Sequence, residues 1–193
     1  EVAIAPSRRT RDADEVSTAW QIDAYRFDAP IMAAPMDSVV SPASAIALGT
    51  LGVPAVLNLE GLWTRYADPL PLLERIRRAP AAEATRELQR IYGEAPVDPV
   101  LVTERIAAIR EGGTPVAVGV SPQGADRLAA TAVAAGADLL VIRGTTVSAE
   151  HVSANGTPLN LKTFIYDLEV PVIVGGCATY QAALHLMRTG AAG

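Results

Sequence analysis

Five short apolar runs, separated by proline-initiated helical stretches, restrict this chain to one fold class. The runs lie at 30–33, 55–58, 115–120, 139–143 and 171–175, and each is nearly continuous in Val, Ile, Leu and Ala. Strands that face water on one side alternate apolar with polar residues; strands covered by helices on both faces do not. Between the runs, Ser41-Pro42, Asp68-Pro69, Asp98-Pro99 and Ser121-Pro122 each place a capping oxygen just before a proline. The cap accepts from an orphaned backbone N–H, and proline at the first helical position lacks an N–H that would have no partner there. Helical spacing follows: Val102, Ile106 and Ile109 share one face, as do Ala125, Leu128, Ala129, Ala132 and Val133. Gly112 and Gly136 stand where a left-handed residue would end a helix. Gly93 does the same for extra helical material running from Pro69 to about Tyr92. The order strand, helix, strand, helix predicts an α/β fold with a parallel sheet and right-handed crossovers.

The strands begin at 30, 55, 115, 139 and 171, at intervals of 25, 60, 24 and 32 residues. The shorter intervals fit single βα units. A doubly wound nucleotide-binding sheet requires a glycine-rich turn after its first strand, and Pro35-Met36-Asp37 stands there instead. A (β/α)8 barrel places its chemistry in the loops after the strands. The unusual residues collect at those positions: Pro35-Met36-Asp37-Ser38, Asn58-Leu59-Glu60-Gly61, Ser121, Arg143-Gly144-Thr145-Thr146 and Gly175-Gly176-Cys177. The expectation is a (β/α)8 TIM barrel with about five of its eight units present. Residues 1–29 form an N-terminal strap and 30–193 the βα units of a single domain, with a sixth strand due directly after Gly193.

Composition narrows the function classes. Half of the 193 residues are hydrophobic, 5% aromatic and 19% charged, enough to bury a core and too apolar for a disordered chain. A net charge of −5 argues against a nucleic-acid partner, because phosphate binding needs a basic surface. No apolar run approaches the ~20 residues that cross a bilayer, and no signal peptide is recognisable, so a cytoplasmic protein without a membrane partner is expected. Cys177, the single cysteine, excludes an intrachain disulfide, and no Cys/His group has zinc spacing.

Pro6-Ser7-Arg8-Arg9-Thr10-Arg11 precedes Val16-Ser17-Thr18 and then Pro30-Ile31-Met32-Ala33-Ala34-Pro35-Met36-Asp37-Ser38-Val39. This succession resembles the opening of the IMP dehydrogenase/GMP reductase family, which begins with a proline-anchored strap and a first strand ending in Ser/Ala-x-Met-Asp-x-Val. The resemblance continues through 45–57 and resumes at 116–143. It closes over 171–193, where the family has strand-Gly-Gly-x-x-Thr, a helix and Ala-Gly-Ala. Asn58-Leu59-Glu60-Gly61-Leu62, Thr64-Arg65-Tyr66-Ala67-Asp68-Pro69 and Leu159-Asn160-Leu161-Lys162-Thr163-Phe164 are similar to a short branch of the family. The ordinary enzyme inserts a pair of CBS domains between its second and third units; the 60-residue interval here has no room for them.

The resemblance implies an oxidoreductase that converts IMP to XMP with NAD in guanine nucleotide synthesis, by cysteine attack on the purine C2. It implies a homotetramer and an accessory monovalent cation. Ala34 and Met36 would line the nucleotide site, with Asp37 bracing the turn or reaching the ribose; Met36 is otherwise core filler. Gly175, Gly176 and Cys177 stand where the family has Gly-Gly-Asn against the substrate. Cys177 thus matches the family's asparagine rather than its nucleophile, which sits after the sixth strand. No catalytic residue is therefore expected in 1–193, which alone should not turn over IMP. Asn58 and Glu60 fall on the cofactor side, Glu60 orienting a ribose hydroxyl, pairing with Arg143, or simply solvated. Arg143, Gly144 and Thr145 replace a family aspartate and its hydroxyl neighbours. That reverses the local charge, so Arg143 would meet a phosphate or carboxylate, or a neighbouring loop acid. Arg8, Arg9 and Arg11 read most simply as salt-bridge partners, and His151 and His185 as surface or packing residues.

Three alternatives accompany this reading. A GMP reductase would run on GMP with NADPH. An FMN-dependent barrel of the nitronate monooxygenase type also opens with a Pro-Met turn. A relative that binds nucleotide without catalysis would account for the departures at Arg143 and Cys177.

Overall fold

The computed structural model describes residues 12–144, 147, 150–151 and 159–193. A 3-10 turn at Ala13–Glu15 leads into an antiparallel hairpin, β1 (Trp20–Ile22) and β2 (Tyr25–Phe27). Asp23 takes the left-handed backbone (φ 49°) that so tight a connection requires. Then follow α1 (Pro42–Gly49), β3 (Val56–Asn58), a 3-10 turn (Leu62–Thr64), α2 (Leu70–Arg78), α3 (Ala81–Glu94) and α4 (Pro99–Glu111). The remaining elements are β4 (Ala117–Val120), α5 (Pro122–Ala134), β5 (Leu139–Arg143), β6 (Glu150–His151), β7 (Leu159–Asn160), α6 (Leu161–Tyr166), β8 (Val172–Gly175) and α7 (Tyr180–Arg188).

Strands β3, β4, β5 and β8 form one sheet in that order, every pair parallel. This is the predicted α/β architecture, with strands side by side in chain order as in a βα barrel. The small antiparallel pair β6–β7 was not expected. The run at 30–33 forms no strand: Ala33 alone bridges to Ala55. Its prolines explain this, since Pro30 and Pro35 bracket the run and neither can donate to a ladder. Ala33 N donates to the Pro54 carbonyl at 2.9 Å and Val56 N to the Ala33 carbonyl at 3.1 Å.

The two faces of the sheet pack differently. Leu57, Val118, Val120, Leu140, Ile142, Val172 and Val174 join the helices in the main core. Val56, Ala117, Leu139 and Val141, with Ile173, form a second cluster that Trp20, Ile22 and Met32 cover. The hairpin therefore plugs one face of the sheet near the strands' amino ends. Tyr25 fastens it there, donating to Asp138 Oδ1 at 2.8 Å, while Asp138 Oδ2 accepts from Val116 N at 2.8 Å. Because side chains alternate along a strand, Asn58, Gly119, Arg143 and Gly175 continue the hairpin-covered face toward the carboxyl ends.

Ser41, Asp98 and Ser121 cap α1, α4 and α5 as predicted. Asp68 differs: its Oδ1 accepts from Leu70 N at 3.2 Å, and the helix begins one residue late, with Pro69 itself in the capping position. Gly136 has the expected left-handed backbone (φ 99°), but after α4 that role falls to Gly113 (φ 74°) while Gly112 stays helical. Gly93 terminates nothing; α3 runs through it to Glu94. No helix among the described residues is long and apolar enough to cross a membrane.

Candidate active site

The post-strand loops meet at the carboxyl ends of the strands, and Asp37 lies at their centre. It lies within a tight turn: Met36 N donates to Ala34 O at 2.7 Å, and Val39 N and Val40 N both donate to Met36 O, at 2.9 and 2.8 Å. Ala34 and Met36 are exposed at the tip, Met36 by 54%. Asp37 itself is drawn inward. Its backbone carbonyl accepts from Trp63 Nε1 at 3.0 Å, and its Oδ2 accepts from the Tyr92 hydroxyl. Oδ1 is buried beside Gly61 and has no hydrogen-bond partner among the described residues.

Burial pushes the Asp37 carboxyl above the usual carboxylate range. Its hydrogen bond from Tyr92, the nearby Leu62 N–H, and the charges of Arg143 and Arg65 all pull the other way without overcoming burial. Burial, with the Asp37 carboxylate second, likewise raises the Tyr92 phenol, which stays a donor at neutral pH. A carboxyl with a raised folded pKa contributes stability that is complete below its unfolded pKa of about 3.9. That contribution is lost as pH rises through the folded value. Asp37→Asn is therefore expected to melt higher than wild type at pH 7, the gap closing as the pH falls toward about 4. Melting temperature against pH checks this; a lower melting point for the variant at pH 7 contradicts it.

The loop after β3 supplies the neighbouring wall. Asn58 is 6% exposed, and its Oδ1 accepts from Glu60 N at 3.2 Å. The Glu60 carboxylate does not pair with Arg143: its Oε2 accepts from Ser121 N at 2.6 Å and its Oε1 from the Ser121 hydroxyl at 3.0 Å. Ser121 Oγ also accepts from Gly124 N at 3.1 Å, so one serine caps α5 and anchors the β3 loop. Gly124 has no Cβ because the Glu60 carboxylate occupies that space, and Gly119 is kept small by Pro35, whose Cβ lies 3.0 Å from where its own would be.

On the far side, Arg143 and Gly175 are register partners, both at the carboxyl edge. Gly144 N donates to Gly175 O and Gly176 N to Gly144 O, each at 2.8 Å. These glycines extend the β5–β8 ladder by one step. Among the described residues, no heavy atom lies within 4 Å of a Cβ built on Gly175, so they leave the space beside it open. Cys177 is an exposed free thiol beyond that step, and His185 is exposed on α7. Thr145, Thr146 and Arg8, Arg9 and Arg11 lie outside the described residues, as does the side chain of His151.

Asp37, Asn58, Glu60 and Arg143 thus share one end of the sheet, as their post-strand positions predicted. Tyr92 was missed. It lies on α3, 55 residues from its partner, and helical periodicity gives the face it occupies without the residue that face will meet.

A parallel strand series clad in helices, with its polar cluster at the carboxyl ends, defines an α/β fold of the barrel type. Residues 1–193 match the model of the IMP dehydrogenase / GMP reductase domain, and the chain belongs to that family. It is 54% identical over 198 residues to an uncharacterised oxidoreductase of Mycolicibacterium smegmatis and 52% identical to one of Mycobacterium leprae. Each match takes in the whole chain but only 52% of the relative's length. A crystal structure described as an IMP dehydrogenase/GMP reductase-like protein, from Corynebacterium glutamicum, superposes with a TM-score of 0.88 at 48% identity. That match covers 98% of this chain and 50% of the other. Both of these mycobacterial relatives carry the description oxidoreductase.

Proposed function

We propose that the protein bearing this chain oxidises IMP to XMP with NAD. The observation that carries the reading is that the Ala34–Asp37 turn and the Gly175 edge lie at the same end of the sheet, with the Arg143 charge, in register with Gly175, felt at Asp37. Within the family resemblance, those segments are the two that face the purine nucleotide. The Ala34–Met36 edge would meet the base, with Gly175, Gly176 and Cys177 opposite it. Cys177 has no role as nucleophile in this reading; the attacking cysteine belongs to a part of the protein outside 1–193.

NAD, when bound, supplies the acceptor for the hydride that leaves C2. Arg143 is the chain's own group best suited to the anionic parts of that cofactor, being an exposed guanidinium at the carboxyl edge, on the Asn58 face. Glu60 orients Ser121 rather than a ribose hydroxyl, and Asn58 holds the loop between them. NADP is the alternative cofactor, a monovalent cation the accessory ion and a homotetramer the assembly, all by family resemblance. A cytoplasmic location belongs to the same proposal.

The test is NADH formation by the full-length protein given IMP and NAD. NADH appearing in proportion to XMP is the expected result. Ammonia release from GMP with NADPH would assign the reductase instead. Absence of NADH, with no thermal shift from IMP, XMP or GMP, overturns the purine reading altogether.

A further inference from the structure

Helices α2 and α3, which fill the long interval between β3 and β4, reach Asp37 through one hydroxyl. Tyr92 sits near the end of α3 and donates to Asp37 Oδ2. Arg65 clamps the same helix end: its Nη1 donates to the carbonyls of Tyr92 at 3.1 Å and Ala95 at 2.5 Å. Its Nε donates to the Glu60 carbonyl at 3.0 Å, and its guanidinium lies 5.2 Å from the centroid of the Tyr92 ring. Glu60 in turn holds Ser121. Three post-strand loops are thereby joined through the last turn of α3. Pro35 rests against Gly119 and Val40 is buried behind the turn, while Ala34 and Met36 are exposed. Between those two packed residues, the polar ties at Asp37 hold the turn.

We propose that Tyr92 is a positioning residue for the substrate: by fixing Asp37 it sets the Ala34–Met36 edge against the purine nucleotide, making the inserted helices part of the binding site. This rests on the purine reading of that turn. The charged and titratable groups that face Asp37 are Tyr92 from α3, Arg65 from the loop after β3 and Arg143 from β5. Of these, Tyr92 is the one that can be removed as a donor while its bulk is kept.

Tyr92→Phe in the full-length protein leaves the ring beside Arg65 and deletes only the hydroxyl. A hydrogen bond to a charged group is strong enough that KM for IMP should rise about tenfold, with kcat within about threefold of wild type. The acid limb of kcat/KM should move to higher pH, because Asp37 loses a bond that favoured its charged form. A melting defect alone would not move that limb. In an Asp37→Asn background, adding Tyr92→Phe should change KM no further. A wild-type KM with an unmoved acid limb overturns the proposal, and so does an additive double variant.

A second measurement needs no nucleotide. Trp63 donates to the Asp37 carbonyl, so the pH midpoint of its indole N–H resonance reports on the turn. That midpoint should rise in Tyr92→Phe; if it does not, the proposal fails whatever the substrate. A midpoint that rises in a protein blind to IMP supports the tie and overturns the purine reading alone.

Discussion

Alanine at Gly61 is expected to lower kcat/KM for IMP by about a hundredfold and to cost about 1–3 kcal/mol of stability. The added methyl would overlap Asp37 Oδ1 and press on Asn58 Nδ2, which lies 2.8 Å from the Cβ position. Gly61 has an ordinary backbone (φ −88°), so its role is space rather than conformation. Neither neighbour has room to retreat. Asp37 is held by Tyr92 and Trp63, and Asn58 is buried. The methyl can be accommodated only by displacing the Asp37 turn, and with it the surface proposed to meet the nucleotide. Gly93→Ala is the control: nothing lies within 4 Å of its Cβ, and it sits inside α3. There alanine should stabilise by up to about 1 kcal/mol through helix propensity. Urea unfolding and steady-state kinetics on both variants check the pair. Near-wild-type activity in Gly61→Ala contradicts the packing described.

Leu140→Ala is expected to cost about 3–5 kcal/mol, the range for emptying a fully enclosed leucine site. Leu140 has no exposure and belongs to the core under the helices. Its strand β5 is paired on both sides, with Leu140 in register between Val118 and Val172, so the backbone cannot close the gap. For a protein stable by roughly 5–15 kcal/mol this is a large fraction of the whole. The ion pairs of α2 and α3 offer a contrast. Glu74 is held down to about 2 by Arg77 and Arg78, yet the three lie in solvent, and exposed pairs of this kind contribute little. Chemical denaturation of Leu140→Ala, read by fluorescence, checks the first figure; a loss below about 1 kcal/mol would show that the site collapses.

The features legible in the sequence were the local ones. A strand buried on both faces has to be apolar throughout, so β3, β4, β5 and β8 stood out near their observed positions. Ser41, Asp98 and Ser121 were legible as caps because a cap and the N–H it serves are two or three residues apart. The run at 30–33 misled for a local reason too: its composition suits a strand while its prolines prevent one. What the sequence concealed depends on distance. Nothing near Glu60 indicates that Ser121, 61 residues on, will take its carboxylate, and nothing near Tyr92 points to Asp37. Both pairings follow from how far strands and helices carry each group before returning it to the same edge. Post-strand position brought Asp37, Asn58 and Glu60 together, because a parallel sheet delivers those positions to one end. Tyr92 arrives from a helix, outside that rule.

The β1–β2 hairpin has a consequence for traffic. With Trp20 and Ile22 seated across the amino ends of the strands, the face that carries Asn58, Arg143 and Gly175 has a floor. A floor at the amino ends leaves the carboxyl ends as the side from which those three residues are approached, so a hairpin remote from them in the chain helps to set the direction of access.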